Sequence, residues 1–95
     1  MASHKRTRRF ERDWDALAPQ ERDRFATAFL KFDEDLAKGR FRAGLRVKRV
    51  QGIAEVYEMT WAPNGRATFQ YGEAEASDPH IIWRRIGTHE VFRRP

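Results

Sequence analysis

The chain has 95 residues, enough for one domain and too few for a second hydrophobic core, so residues 1–95 are expected to form a single domain. It carries 19 Lys and Arg against 14 Asp and Glu, a net charge of +5, and it has no cysteine, which excludes disulfide frameworks, thiol nucleophiles and cysteine zinc sites. No segment approaches the ~20 apolar residues of a membrane span or contains the apolar core of a signal peptide, so we expect a cytoplasmic protein.

Two amphipathic helices are predicted in the first part of the chain. Residues 1–6 are polar and are predicted to be loose, and Thr7 is a candidate N-cap for the first helix. Pro19 suits the first turn of a second helix, and Gly39 is a natural stop for it. The apolar residues at helical spacing are Phe10, Trp14 and Leu17 in the first helix, and Phe25, Phe29, Phe32 and Leu36 in the second. A short link joins the two helices into a helical hairpin.

Beyond Gly39 the sequence pattern becomes that of strands. The predicted strands cover residues 45–50, 53–61, 66–71 and 80–86. A hairpin turn signal, Pro-Asn-Gly, separates the second from the third, and an acidic loop over residues 72–79 precedes the fourth. The expected fold class is α+β, with an N-terminal helical hairpin packed on a three- to four-stranded antiparallel sheet. The opposite face of that sheet is expected to be partly open to solvent.

A basic run, KGRFRAGLRVKR, covers residues 38–49. It holds six basic residues and no acidic one, with Phe41 among them. A phosphate backbone attracts this pattern because each Lys or Arg contact releases a condensed counterion. A solvated loop followed by an edge strand explains the run equally well, since charge on edge strands prevents aggregation.

Three side chains outside this run are candidates for chemistry. The last strand leads through a Gly-Thr turn to His89 and Phe92, which lie among several arginines. A lone histidine is more often structural or exposed than functional, and Phe92 either packs into the core or stacks on a nucleobase. Arg66 directly follows the Asn-Gly turn, where a surface ion pair with Glu58 or Glu55 across the hairpin is the plain alternative.

Metal sites and serine triads are not favoured by the sequence. The histidines are well separated, cysteine is absent and the carboxylates are scattered, so no metal ion or other cofactor is expected. The reactive groups that remain are Arg, Lys, His and Glu, which are those of metal-free RNA cleavage. That reaction needs a base for the 2′-hydroxyl, cations for the charge of the phosphorane and an acid for the leaving oxygen.

Three stretches in this order, FERDWDAL, GIAEVYEMTWAPNGRATFQYG and IIWRRIGTHEVF, resemble the RelE/ParE superfamily of toxin–antitoxin toxins, and within it the RelE/YafQ-like mRNA interferases. The resemblance covers about residues 8–92. It implies a small basic domain with two helices on an antiparallel sheet, and an RNA-binding cleft formed by the sheet and the end of the chain. It also implies a ribosome-associated, metal-independent mRNA endoribonuclease of a type II toxin–antitoxin system, neutralised by a cognate antitoxin protein.

The resemblance also implies roles for individual residues. By position, Arg66 resembles the phosphate-stabilising arginine of the family, His89 the acid or base near the end of the chain, and Phe92 the aromatic residue that stacks on a base. Glu58 is a further candidate for the base. The residues expected to bind the RNA backbone are Lys48, Arg49 and Arg85.

The chain departs from the family pattern at two points. The polar stretch SHKRTRR stands where the family has an apolar first strand, and Phe92 stands where a tyrosine is usual. Two other functions are open. A ParE-like toxin inhibits DNA gyrase and lacks the catalytic set, so the presence of both His89 and Arg66 favours the nuclease branch. The other hypothesis is a non-catalytic RNA-binding or protein-interaction module.

Overall fold

The residues that this computed structural model describes, 2–73 and 79–95, form two helices and five strands. In chain order the elements are β1 (Ser3–Arg6), α1 (Arg8–Ala16), α2 (Pro19–Lys38), β2 (Lys48–Arg49), β3 (Tyr57–Ala62), β4 (Gly65–Tyr71) and β5 (His80–Gly87). Short 3₁₀ turns cover Ala43–Leu45 and His89–Arg93. Within the described ranges, neither helix has the length and apolar character needed to cross a bilayer.

Both predicted helices are present, and they begin and end at the predicted signals. The Thr7 hydroxyl accepts a hydrogen bond from the Phe10 backbone N–H at 3.1 Å and so caps α1. Pro19 begins α2, and Gly39 ends it at φ +73°, a left-handed conformation that glycine adopts without steric cost. Local sequence signals are therefore sufficient to define the helices.

Aromatic side chains hold the helices against the sheet. Phe32 of α2 contacts Phe69 of β4 and Trp83 of β5, and each pair of ring centroids is 5.0 Å apart. Phe10 of α1 contacts the same Trp83 at 6.2 Å. All four side chains are almost completely buried. Each such aromatic pair adds about 0.5–1.5 kcal/mol beyond the burial of its area, so this cluster compensates for the small size of the domain.

The sheet has five strands in the order β1-β5-β4-β3-β2, and it is mixed. Neighbours are antiparallel except for β1, which lies parallel to β5 with Ser3 opposite His80 and Arg6 opposite Trp83. The predicted α+β class is confirmed, but the predicted three- to four-stranded antiparallel sheet is wrong in both strand number and strand direction.

The prediction that residues 1–6 are loose is also wrong, because Ser3–Arg6 form β1. An edge strand tolerates polar side chains, and only one side chain of β1 is directed into the protein. The Nδ1 atom of His4 accepts a hydrogen bond from Trp83 Nε1 at 3.1 Å, and its Nε2 atom lies 2.8 Å from Asp33 of α2. The hydrogen bonds of His4 to Trp83 and Asp33 thus take the place of the apolar contacts that usually hold a strand on the core.

Two strands are shorter than their sequence patterns indicate. The strand predicted over residues 45–50 consists only of Lys48–Arg49, because Arg46 takes a left-handed conformation at φ +48°. The strand predicted from residue 53 begins at Tyr57, since Gly52 and Glu55 have φ values of +83° and +64°. Extended pairing cannot pass through such residues. The predicted acidic loop falls largely on residues 74–78, outside the described residues.

The predicted hairpin turn lies between Ala62 and Gly65, which are paired in register. Gly65 does not have a positive φ angle, so backbone freedom is not the reason for glycine there. A Cβ atom on Gly65 would lie 2.6 Å from two ring atoms of Trp61, which is too close for any side chain. The glycine instead makes room for the indole ring that packs over the turn.

Candidate nucleic-acid interface

Alternation along β3 and β4 places polar side chains on the sheet face opposite the core. Met59, Ala67 and Phe69 are completely buried in the core. Glu58 and Arg66 alternate with them and therefore face the other way. Pairing between strands extends this polar face across the sheet to Lys48 on β2, opposite Glu58, and to Gly87 on β5, opposite Arg66.

An open cleft of about 530 Å³ lies on this face, and we call it the sheet cleft. Six of the predicted site residues line it: Lys48, Arg49, Glu58, Arg66, His89 and Phe92. Its other lining residues are Arg46, Val50, Gln51 and Thr60. Of all ten lining side chains, four are permanently cationic and only one, Glu58, is acidic. The cleft therefore suits a polyanion.

Arg66 is fixed by backbone carbonyl groups. One terminal nitrogen of its guanidinium donates to the carbonyl oxygen of Gly65 at 2.9 Å and to those of Ala62 and Pro63 at 3.3 Å. The strand register places Thr60 opposite Arg66, and no ion pair joins Arg66 to a carboxylate of the described residues. Its position is therefore set by the turn, and its charge is not neutralised by Glu58 or Glu55.

His89 is held by the hairpin turn. Its Nδ1 atom lies 2.6 Å from the Oδ1 atom of Asn64. Because an amide oxygen only accepts hydrogen bonds, Nδ1 of the imidazole is the donor in this contact, which leaves Nε2 for proton transfer with a bound group. The ring is exposed, and the ring of Phe92 meets it edge-on with centroids 5.9 Å apart.

The 3₁₀ turn that carries His89 and Phe92 is held in place by its cap and by a buried side chain. Thr88 caps it by accepting from the Glu90 backbone N–H at 3.3 Å. Val91, between the two ring-bearing residues, is 2% exposed and packs into the protein. With the middle of the turn buried, the flanking rings remain at the edge of the sheet cleft.

Glu58 is buried on the floor of the sheet cleft, with 8% of the residue exposed. The Nζ atom of Lys48, its partner on the neighbouring strand, lies 3.9 Å from its Oε1 atom. The lysine side chain itself is mostly exposed. Glu58 therefore has a cationic neighbour and also faces the cleft, so it is placed to accept a proton from a bound group.

The structure does not bring Arg85, the seventh predicted site residue, into the sheet cleft. Its guanidinium forms two hydrogen bonds with the Asp13 carboxylate, at 2.7 and 3.1 Å, and a third with the carbonyl of Arg94 at 3.1 Å. The hydrogen bond to Asp13 raises the pKa of Arg85 above its usual value. The arginine serves to join β5 to α1, and its donors are not available for an RNA phosphate.

Sequence reasoning missed Arg46, which lines the sheet cleft, and Asn64, which holds His89 at its edge. Asn64 was interpreted as a turn residue, and nothing local to it indicates that its amide reaches a histidine 25 positions away. Arg46 lies in the basic run, but its left-handed backbone, which directs the chain into the cleft wall, has no signal in the sequence. No group of three or more His, Cys, Asp or Glu in the described ranges is arranged to hold a metal ion.

Comparison by sequence gives no relatives: no protein-family model matches this chain, and no curated protein matches it. Comparison by structure does. A chain of the E. coli DinJ–YafQ toxin–antitoxin complex superposes with a TM-score of 0.68 at 12% identity, over 95% of this chain and 94% of that one. A chain of the RelB–RelE antitoxin–toxin complex from Methanococcus jannaschii gives 0.62 at 17% identity, over 94% of both chains.

A metal-bound toxin from Helicobacter pylori is also similar, with a TM-score of 0.63 at 13% identity over 95% of this chain and 97% of that one. At such identities the likeness concerns the fold, and it extends over nearly the whole of each chain. This protein therefore has the fold of the RelE and YafQ toxins of toxin–antitoxin complexes.

Proposed function

We propose that this protein is the toxin of a type II toxin–antitoxin pair and that it cleaves mRNA on the ribosome without a metal ion. The observation that carries the proposal is the meeting of Arg66, His89 and Glu58 in one basic cleft. A guanidinium, an imidazole and a carboxylate on an open surface are the three groups that phosphodiester cleavage by a neighbouring hydroxyl requires.

In the proposed reaction, the 2′-hydroxyl of the RNA attacks the adjacent phosphorus. Its proton passes to a general base, for which the ionised Glu58 carboxylate is suited. The bond between phosphorus and the 5′-oxygen then breaks, and His89, which enters the reaction as the imidazolium, donates the proton on Nε2 to that oxygen. The products are a 2′,3′-cyclic phosphate and a 5′-hydroxyl. Glu58 then gives its proton to water and His89 Nε2 takes one from water, which restores the starting state.

Arg66 is assigned to the charge that develops on the phosphorane. Its guanidinium is fixed by carbonyls and unpaired with any described carboxylate, so little reorganisation is needed when that charge appears. Lys48 and Arg49 are assigned to the flanking phosphates. Phe92, beside His89 and partly exposed, is assigned to stacking on a base, which contributes about 1–3 kcal/mol.

The antitoxin is the second proposed partner. The E. coli and M. jannaschii proteins of the same fold were solved in complex with DinJ and RelB. A basic cleft attracts an acidic protein segment through the same charge complementarity that attracts RNA. We therefore propose that a cognate antitoxin neutralises this protein by covering the sheet cleft.

The test is cleavage of mRNA in a translating extract and of the same mRNA without ribosomes. The wild type is expected to cut only in the translating extract, and protein that has been stripped with EDTA and desalted beforehand is expected to cut equally well. His89→Ala and Arg66→Ala are expected to abolish cleavage. His80→Ala is the matched control, since it removes an imidazole outside the sheet cleft.

Three outcomes contradict the proposal. Full cleavage by a His89→Ala, Arg66→Ala double variant would remove the catalytic assignment. Growth arrest with intact mRNA and an SOS response would instead indicate a gyrase-inhibiting toxin of the same fold. Salt-sensitive RNA binding without any cut product would indicate a non-catalytic RNA-binding module.

A further inference from the structure

A second cleft, which we call the α2 cleft, lies between α2, residues 42–45 and the end of β3. It has a volume of about 440 Å³. Leu45 and Ala28 form part of its apolar lining, and Thr60 belongs to it as well as to the sheet cleft. The two clefts thus meet at one residue of β3, at the point where β2 no longer pairs with that strand.

The rim of the α2 cleft is basic. Arg24 and Lys31 are seven residues apart on α2, so they project from the same face of the helix, and Thr27 lies between them. None of the residues lining the α2 cleft is acidic. Arg42 also lines it but is neutralised by Asp35 at 2.7 Å, whereas Arg24 and Lys31 form no ion pair with a carboxylate of the described residues. Two uncompensated cations therefore face this space.

Trp61 provides an independent sign that a ligand completes the α2 cleft. It is 8% exposed and lines the cleft, and its indole Nε1–H has no hydrogen-bond acceptor among the described residues. Buried polar groups almost always have a partner, so an orphan donor requires an explanation. An oxygen atom of a molecule bound against the indole would supply the missing acceptor.

We propose that the α2 cleft binds phosphates of the same RNA strand whose scissile bond lies in the sheet cleft, a proposal that rests on the proposed function. The basic run connects the two sites: Arg42 lines the α2 cleft, while Arg46 and Lys48 line the sheet cleft. A small anion would occupy only one of the two. A polyanion with regularly spaced phosphates can occupy both neighbouring clefts at once, and it would pass from one to the other over Thr60.

The experiment measures how affinity depends on RNA length. Fluorescent 2′-O-methyl oligonucleotides of about four and about ten nucleotides lack the attacking hydroxyl and cannot be cut, so anisotropy reports binding alone. An Arg24→Ala, Lys31→Ala variant is expected to bind the longer strand about tenfold more weakly and the shorter strand unchanged. The slope of log K against log salt for the longer strand should fall by about 1.4, since two single-strand phosphate contacts are lost.

The matched control is Arg8→Ala, Arg9→Ala, which removes the same charge from exposed positions outside both clefts. It is expected to keep the length dependence of the wild type. An equal loss in both double variants would mean that only net charge matters and would overturn the proposal, as would an unchanged affinity for the longer strand after the α2 substitutions. If circular dichroism shows that the alanine variant is unfolded, Arg24→Gln, Lys31→Gln takes its place.

Cleavage and length-dependent binding are separate measurements, so RNA binding by the α2 cleft and the nuclease activity can fail independently. If cleavage depends on His89 but the dependence of affinity on RNA length is the same with and without Arg24 and Lys31, RNA binding by the α2 cleft is refuted and the nuclease proposal is not. Absence of cleavage, with long-strand binding that still depends on Arg24 and Lys31, would refute the nuclease and leave the α2 cleft as an RNA site. Binding of a polyglutamate peptide through the same two residues, with no effect on RNA, would show that the occupant is a protein and overturn the proposal.

Discussion

The amide oxygen of Asn64 lies 2.6 Å from Nδ1 of His89, joining the turn between β3 and β4 to the turn after β5. The same β3–β4 turn supplies the three carbonyl groups that hold Arg66. One hairpin turn therefore positions both the imidazole and the guanidinium of the sheet cleft. Changes in this turn should affect the proposed cleavage although the turn itself does not contact the RNA.

Asn64→Ala is expected to lower the cleavage rate about tenfold with little change in KM, because the imidazole loses its fixed orientation. His89→Ala should cost more, since general acid–base catalysis contributes about 10²–10⁴ in rate. Asn64→Asp keeps an acceptor and adds a charge that stabilises the imidazolium, so the pH–rate profile should move to higher pH. Single-turnover kinetics across a pH series measure both effects. An unchanged rate and profile in both variants would show that Asn64 has no positioning role.

Arg66→Ala is expected to lower the cleavage rate by about 100-fold, the usual cost of removing one fixed donor to a developing charge. Arg66→Lys keeps the charge but not the fork of the guanidinium, and it should recover only part of that loss. Thermal unfolding should change little, because the side chain is partly exposed and bonds to carbonyls of a surface turn. Arg9→Ala is the matched control. A rate equal to the control would remove Arg66 from the site.

The Asp35 carboxylate should stabilise the fold in a pH-dependent way. The Arg42 side chain and backbone N–H bond to it at 2.7–2.8 Å, which lowers the pKa of Asp35 from 3.8 to about 2. A lowered folded-state pKa gives stability that is fully present above pH 3.8 and is lost as the pH falls toward 2. Asp35→Asn should therefore lower the urea midpoint at pH 7, and its difference from the wild type should shrink below pH 4. A difference that stays constant from pH 7 to pH 2 would contradict this linkage.

Gly65→Ala is expected to destabilise the protein by about 1–3 kcal/mol, the usual cost of overpacking. The added methyl group would lie 2.6 Å from the Trp61 ring, so the indole or the turn must move. Gly44→Ala is the control, because a Cβ atom there meets nothing within 4 Å. Chemical unfolding of both variants tests the difference. Equal midpoints would show that the indole shifts without cost.

His4→Ala should destabilise the protein by about 1–3 kcal/mol, because the buried Trp83 indole N–H loses its acceptor. Lys5→Ala, on an exposed position of the same strand, should have little effect. Hydrogen exchange should also show faster opening of β1 in His4→Ala. If both variants unfold at the same denaturant concentration, the histidine does not anchor the strand.

The helices could be predicted because their signals are local. Thr7, Pro19 and Gly39 act within one turn of the backbone they cap, and the hairpin turn is equally short-range. The first strand could not be predicted, because its stability comes from β5 and from the contacts of His4 with Trp83 and Asp33, far along the sequence. A polar tetrapeptide contains no sign of such partners.

The catalytic and binding roles of the predicted site residues stay a prediction, whereas the structure shows which of them lie together. Six of seven predicted residues line the sheet cleft, which the resemblance of the chain to a known family made possible. Arg85 lies outside this cleft because its guanidinium bonds to Asp13, and it is next to a register shift in the pairing of β4 with β5 at Thr68. Neither that irregularity nor the left-handed Arg46 and Glu55 follows from residue type, since non-glycine residues rarely adopt such backbone angles.

The parallel pairing of β1 with β5 has a consequence for biosynthesis. A chain emerging from the ribosome presents both helices before β3, β4 and β5, the strands on which their aromatic side chains pack. Although β1 is synthesised first, it has no partner until residues 80–83 have been made. The order of events during translation is thus imposed by long sequence separations, which slow folding. His89 and Phe92 follow β5 in the chain, so the sheet cleft cannot be complete until these residues have been synthesised.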